Sequence, residues 1–358
     1  MGLDFVHGEY ADLPLALVTS IIDNESHYGY RNSVATRLRK HFMRIRTTTA
    51  LLAAAAATSV VLAGCSSSAT DDTATGVSVV ASTNVYGSIA DAIGGDLVTV
   101  TSLITTAAQD PHSFEASAQD QLAISKADLV IENGGGYDPF IDTLLDASAT
   151  GVPVVNASEA SGLLDGDHDD HADEAADDDG HDHIEGFNEH VWYSFHGVEH
   201  VAEAIATQLS TIDPDNATTY SANYDTFAAK LETLEESADS LADQTEGLGV
   251  AITEPVPLYL LAEAGFTNRT PEAFSEAIEE GTDVAPATLQ QTLALFPAKS
   301  VSLLAYNSQT ASAETEQVRS AAEAAGVPVV EFTETLPDGA DYVSWMTDNL
   351  SAISAVLP

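Results

Sequence analysis

The sequence has a single cysteine, Cys65, and very few basic residues. A lone thiol cannot form a disulfide within its own chain. Lysine and arginine total 11 against 56 aspartates and glutamates, which gives a formal net charge of −45. Six basic residues precede Cys65, so five basic and 51 acidic residues follow it, a formal charge near −46. This charge argues against nucleic acid and anionic lipid surfaces as partners and makes cations the natural class of ligand.

No transmembrane segment is predicted, but a secretory signal is. The apolar run at 50–62 holds about 13 residues, fewer than the roughly 20 that a membrane span needs. Arg44 and Arg46 precede this run. The run ends in Leu62-Ala63-Gly64-Cys65, a sequence that resembles a bacterial lipobox. We therefore predict a lipoprotein signal peptide over 43–64 and a lipid anchor on Cys65. The protein would then lie outside the cytoplasm, anchored to the outer face of the bacterial cell membrane.

The segments on either side of this signal have no fold pattern. Residues 1–42 precede the expected start at Met43, and we interpret them as a non-native upstream extension. Residues 65–76 are rich in serine, threonine and alanine and are expected to form a flexible tether.

From residue 77 onward, short apolar runs alternate with helical patterns, which is typical of an α/β fold with parallel sheets. The pattern stops near Asp165 and resumes near Gly197. After Asp213-Pro214, apolar residues recur every three or four positions from Tyr220 to Leu241, which predicts one long helix. We predict an N-terminal lobe over 77–213, a linking helix over 214–246 and a C-terminal lobe over 247–358. The fold class is therefore α/β, with two lobes joined by a long rigid helix and a ligand site in the cleft between them.

Two histidine motifs stand out in the first lobe. Asp110-Pro111-His112 follows a predicted strand, and Asn188-Glu189-His190-Val191-Trp192 precedes a predicted helix. Together with the α/β frame, they resemble the ZnuA/TroA-like family of solute-binding lipoproteins, which serve zinc and manganese importers of the ABC type. The resemblance extends from about residue 77 to the C-terminus.

The resemblance implies a metal site and a set of partners. Carried over by motif, the metal ligands would be His112, His190, Glu254 and Glu334. The expected function is capture of a divalent metal ion and delivery to an ABC permease and its ATPase. We expect a monomer without enzymatic activity, and the absence of a Gly-x-x-x-x-Gly-Lys-Ser/Thr loop means that the chain itself should hydrolyse no nucleotide.

The choice between zinc and manganese depends on two features. Zinc members of the family often have a third histidine where this chain has Glu254, and manganese members have a glutamate there, so the core site alone is ambiguous. An acidic segment, 165–185, carries four histidines, and such segments are typical of zinc members of the family. We interpret it as an accessory metal-collecting loop and favour zinc, with manganese left open. The four histidines are His168, His171, His181 and His183.

Other interpretations of these residues remain. The acidic segment could be a plain solvated insertion. A surface metallohydrolase is disfavoured because no His-Glu-x-x-His motif occurs. An adhesin is a further alternative. His196 and His200 lie four residues apart on a predicted helix, and we expect a surface pair rather than ligands.

Overall fold

The computed structural model describes residues 76–109, 111–112, 114–148, 150–164, 184 and 186–357. Several predicted features therefore lie outside the described residues: the signal peptide, Cys65, nearly all of the tether, Asp110 and the four accessory histidines. Within the described residues, none of the helices combines the length and the apolar character that a membrane crossing requires.

The first lobe is built on a four-stranded parallel sheet in the order β2-β1-β3-β4. Its strands are β1 (Val77–Thr83), β2 (Val98–Ile104), β3 (Leu129–Glu132) and β4 (Val154–Asn156). Its helices are α1 (Asn84–Gly94), α2 (Ala118–Ile124), α3 (Phe140–Ser148), α4 (Ala157–Ala160) and α5 (Phe195–Ile212). All residues of β3 are buried, as expected for a strand covered on both faces.

The second lobe repeats this arrangement with the order β6-β5-β7-β8, again parallel. Its strands are β5 (Gly249–Ile252), β6 (Thr267–Asn268), β7 (Leu303–Asn307) and β8 (Val329–Phe332). Its helices are α7 (Leu258–Glu263), α8 (Glu272–Glu279), α9 (Pro286–Ala294), α10 (Ala313–Ala325) and α11 (Tyr342–Val356). In both sheets the second strand lies on one side of the first strand and the third strand lies on the other side. Ligands of open α/β sheets bind at such a switch point.

One long helix, α6 (Ala217–Thr245), connects the lobes. It spans 29 residues, or roughly 43 Å at 1.5 Å per residue. The predicted apolar stripe is buried along it at Tyr220, Phe227, Leu231, Leu234, Ala238 and Leu241. The helix packs against α1 and α5 of the first lobe and against α7 and α11 of the second. The predicted fold class is confirmed.

Direct hydrogen bonds also join the lobes. Asn84 donates from Nδ2 to the carbonyl of Leu336 at 3.1 Å and accepts from the Leu336 amide at 3.0 Å. The Tyr193 hydroxyl donates to the carbonyl of Thr333 at 2.7 Å. One apolar cluster contains buried residues from both sheets. These contacts and the rod-like α6 favour a small relative movement of the lobes over a wide hinge opening.

Candidate metal site

His112 lies on the loop after β2 and is half-buried. A turn shapes the start of this loop, because the Gln109 side chain accepts from the amide of Thr105 at 3.2 Å. The imidazole of His112 packs edge-on against the ring of Tyr137, with the ring centroids 5.0 Å apart. The loop therefore holds the imidazole against a rigid aromatic side chain of the same lobe.

His190 is 1% exposed and is held by its own loop. The Oδ1 atom of Asn188 lies 2.7 Å from His190 Nδ1 and also accepts from the His190 amide at 3.2 Å. An acceptor at this position makes Nδ1 the protonated nitrogen and leaves Nε2 as the metal-binding atom. Asn188 also donates from Nδ2 to the carbonyl of Pro255 at 3.2 Å, so the loop that positions His190 touches the second lobe beside Glu254.

The second lobe contributes two buried carboxylates that share one hydrogen-bond donor. Glu254 follows β5 and Glu334 follows β8, and both are buried. Between them, Asn307 at the end of β7 donates from Nδ2 to Glu254 Oε2 and, at 2.8 Å, to Glu334 Oε1. Since β5 and β7 flank the switch point of this sheet, the carboxylates lie where an α/β fold places its ligands.

Two further side chains orient Glu334. The Tyr137 hydroxyl donates to its Oε2 at 3.2 Å, and the Gln309 side chain accepts from its backbone amide at 2.6 Å. Gln309 also donates to the carbonyl of Ala107, on the loop that carries His112, at 3.3 Å. Residues of both lobes thus position the same carboxylate.

We call His112, His190, Glu254 and Glu334 the cleft cluster. Nitrogen and oxygen atoms of three of them, His112, His190 and Glu334, lie within 4.8 Å of one another. A zinc ion with ligands at about 2.0–2.2 Å places its ligand atoms about 3.3–3.6 Å apart in a tetrahedron. Small shifts would therefore let all three atoms reach one ion, and Glu254 is linked to the group through Asn307.

Two more carboxylates, Glu189 and Glu279, lie beside these histidines and were not predicted from the sequence; we call them the outer carboxylates. Atoms of His112, Glu189 and Glu279 also lie within 4.8 Å of one another. Glu279 is the last residue of α8, and its Oε1 lies 3.6 Å from Nε2 of His190. Glu189 could have been noticed because it directly precedes His190. Glu279 could not have been noticed, because in the sequence it lies beside Glu280 and near Glu276, a pattern typical of a solvated acidic helix face.

The cleft holds several buried acids in close proximity. Burial raises the pKa of the Glu279 carboxyl strongly, and the charges of Glu189, Glu254 and Glu334 raise it further. Charges of one sign in a poorly hydrated space repel each other. A divalent cation would relieve that repulsion, so the arrangement is chemically suited to binding metal.

Known proteins that resemble this chain also bind metal ions. The family model described as "Zinc-uptake complex component A periplasmic" matches residues 79–356. The chain belongs to this family. Its members are metal-binding substrate-binding proteins of ABC transporters rather than enzymes, and the family works with an importer permease and an ATPase.

Individual relatives differ in the metal that their names give. The manganese ABC transporter substrate-binding lipoprotein scaA of Streptococcus gordonii is 26% identical over 303 residues, which is 80% of this chain and 91% of the relative. The iron ABC transporter substrate-binding lipoprotein MtsA of Streptococcus pyogenes serotype M1 is 26% identical over 305 residues, 78% and 88% of the two chains.

Among solved structures, the periplasmic zinc-binding protein TroA of Treponema pallidum superposes with a TM-score of 0.63 at 19% identity. The match covers 79% of this chain and 99% of that one. At this identity the likeness shows the fold.

Proposed function

We propose that this protein captures a divalent transition-metal ion in the cleft between its lobes and delivers it to an ABC permease, and that the ion is zinc. The observation that carries the proposal is the convergence of His112, His190 and Glu334 within 4.8 Å in a buried cleft. The metal is cargo here, so the site must hold the ion and also release it.

The proposed ligands are the four residues of the cleft cluster. Nε2 of His190 is directed to the site by Asn188, and Asn307 and Tyr137 hold the carboxylate of Glu334. Two carboxylates neutralise the charge of a divalent ion, and the imidazoles add neutral nitrogen donors. Four protein ligands leave no open position for a catalytic water, which supports binding without turnover.

Zinc is supported by the two imidazoles, because nitrogen ligands suit later transition metals better than manganese. The histidines of the acidic segment 165–185 support the same choice. They lie outside the described residues, and their proposed role is to raise the local zinc concentration.

Manganese is the second candidate, and the outer carboxylates favour it. Glu189 and Glu279 lie at the same histidines as the cleft cluster and could add oxygen ligands. Manganese accepts more oxygen donors and higher coordination numbers than a tetrahedral zinc site. The manganese lipoprotein of Streptococcus gordonii, which is 26% identical to this chain over 303 residues, supports this candidate.

We further propose that a lipid on Cys65 tethers the protein outside the membrane as a monomer, so that the loaded cleft stays near its permease. Globomycin, an inhibitor of lipoprotein signal cleavage, should make the uncleaved precursor accumulate in cells. A mature, soluble protein in treated cells would contradict the anchoring.

The identity of the bound metal is tested by native mass spectrometry with elemental analysis of the protein exposed to equimolar zinc and manganese. Zinc should be the tightly retained ion. Manganese retained in preference would overturn the choice of zinc while leaving metal capture in place. Loss of both ions on dilution would contradict the capture function itself.

A further inference from the structure

Helix α5 carries a second group of metal-binding atoms outside the cleft. His196 and His200 lie one turn apart near its N-terminus, and their Nε2 atoms are 3.3 Å apart. The two rings meet edge-on with centroids 4.6 Å apart. Residues four apart share one face of a helix, but side chains of exposed histidines do not have to converge on one point. Here both metal-binding nitrogens do.

The separation of these nitrogens is the separation that a zinc ion needs. Two imidazole nitrogens bound at about 2.0–2.1 Å in a tetrahedron lie about 3.3–3.4 Å apart. The observed 3.3 Å matches this value, so the spacing of the two nitrogens already suits one shared ion. In the metal-free protein the same distance allows one hydrogen bond between neutral rings, which keeps the pair in position.

The surroundings of the pair are acidic. Glu199 lies between the two histidines on α5, and Glu235 faces them from α6, which packs against α5. Burial raises the pKa of Glu235, Glu199 raises it further, and a charged His196 would lower it. His196 and Glu235 are therefore close enough to interact, and nearby carboxylates would favour a bound cation.

We propose that His196 and His200 form a second metal site, on the surface, that takes zinc or another late divalent transition ion. The two imidazoles are the protein ligands, water completes the coordination, and Glu199 and Glu235 supply compensating charge. With only two protein ligands at a solvated position, this site binds more weakly than the cleft. The inference uses none of the cleft residues and does not depend on the proposed function.

The test counts zinc ions on the full chain. His168, His171, His181 and His183 are first changed to Asn, so that the imidazoles of the acidic segment do not obscure the count. Equilibrium dialysis against excess zinc, followed by elemental analysis, should find two ions per chain in this background. Adding His200→Ala should leave one ion, and the matched control Thr207→Ala, an exposed residue of the same helix, should leave two.

A second pair of variants separates this site from the cleft. In the same background, His190→Ala should remove the tight ion and keep the weak one, and His190→Ala with His200→Ala should bind none. Cobalt added in place of zinc should give a visible absorption band that His200→Ala reduces. The proposal is overturned if His200→Ala leaves the count and the cobalt band unchanged, whatever the outcome at the cleft.

Discussion

Asn307 donates hydrogen bonds to two buried carboxylates from one amide group. Its Nδ2 donates to Glu254 and to Glu334 and so holds the two acids side by side. Hydrogen bonds to charged groups are stronger than neutral ones, and a buried acceptor that loses its donor carries the full cost of desolvation. The residue therefore stabilises the metal-free site.

Asn307→Ala should lower the free energy of unfolding of the metal-free protein by about 1–3 kcal/mol. Metal affinity should fall as well, because the two carboxylates would lose their common orientation. Urea unfolding and competition with a zinc chelator measure the two effects. The control is Asn223→Ala, which removes the hydrogen bond to the carbonyl of Ile93, far from the cleft. It should reduce stability alone, and an equal loss of affinity in both variants would refute the assigned role.

Glu279 places a carboxyl oxygen 3.6 Å from the metal-binding nitrogen of His190. Burial raises its pKa and so favours the protonated form in the metal-free protein, whereas a bound cation would favour the carboxylate. Glu279→Gln keeps the shape but cannot ionise when the metal binds, so the affinity for a divalent ion should fall about tenfold, or about 1.4 kcal/mol. The loss should be larger for manganese than for zinc if the carboxylate acts as an oxygen ligand. Isothermal titration with each metal measures it. Glu272→Gln, an exposed residue on the same helix, should have no effect.

At this scale the sequence predicted part of the site. The family resemblance implied that His112, His190, Glu254 and Glu334 share one cleft. The structure brings atoms of the first, second and fourth within 4.8 Å of one another, and their role as ligands stays a prediction. Asn307 and Tyr137 were not predicted, because their contacts join residues 27 or more positions apart in the chain. Such pairings follow from tertiary packing, which local patterns do not contain.

Helix α6 is the element on which both lobes pack. Leu231 is buried on the apolar stripe of this helix. Leu231→Ala should lower the free energy of unfolding by about 2–5 kcal/mol, because a cavity is left behind. Urea unfolding followed by circular dichroism should show one shifted transition for both lobes. Thr233→Ala, on the exposed face, is the control. Two separate transitions in the Leu231 variant would mean that the lobes fold independently.

The elements themselves were largely predictable where their periodicity was strong. The stripe from Tyr220 to Leu241 predicted α6 because a 3.6-residue period repeats over many turns. The two-residue strand β6 was not predicted, since Thr267 and Asn268 are too few to show an alternation. The strand β7 begins only at Leu303, because Ser300 and the preceding residues form the turn after α9.

On the scale of the whole molecule, buried acids make stability depend on pH. Burial raises the pKa of Glu132 to about 7, with Asp138 and Asp142 contributing, and burial raises the pKa of Asp138 to about 6. Each group binds its proton more tightly when the protein is folded than when it is unfolded. Stability is therefore greatest below the unfolded pKa of the group and decreases as pH rises to the folded value.

Metal-free protein should accordingly lose stability between about pH 4.5 and pH 7, with a slope of up to about 1.4 kcal/mol per pH unit for each group. Urea unfolding at intervals over this range measures the slope. Glu132→Gln should flatten it, because the amide does not ionise and can still bond to Asn156. A stability that rises with pH over this range would contradict the assignment.

We expect one divalent ion to be held between the two lobes by the cleft cluster. An anomalous difference map at the zinc absorption edge, from crystals grown with zinc, locates bound ions directly. The strongest peak should lie within bonding distance of Nε2 of His190, an imidazole nitrogen of His112 and carboxylate oxygens of Glu254 and Glu334. A cleft without a peak, in crystals that bind zinc elsewhere, would contradict it.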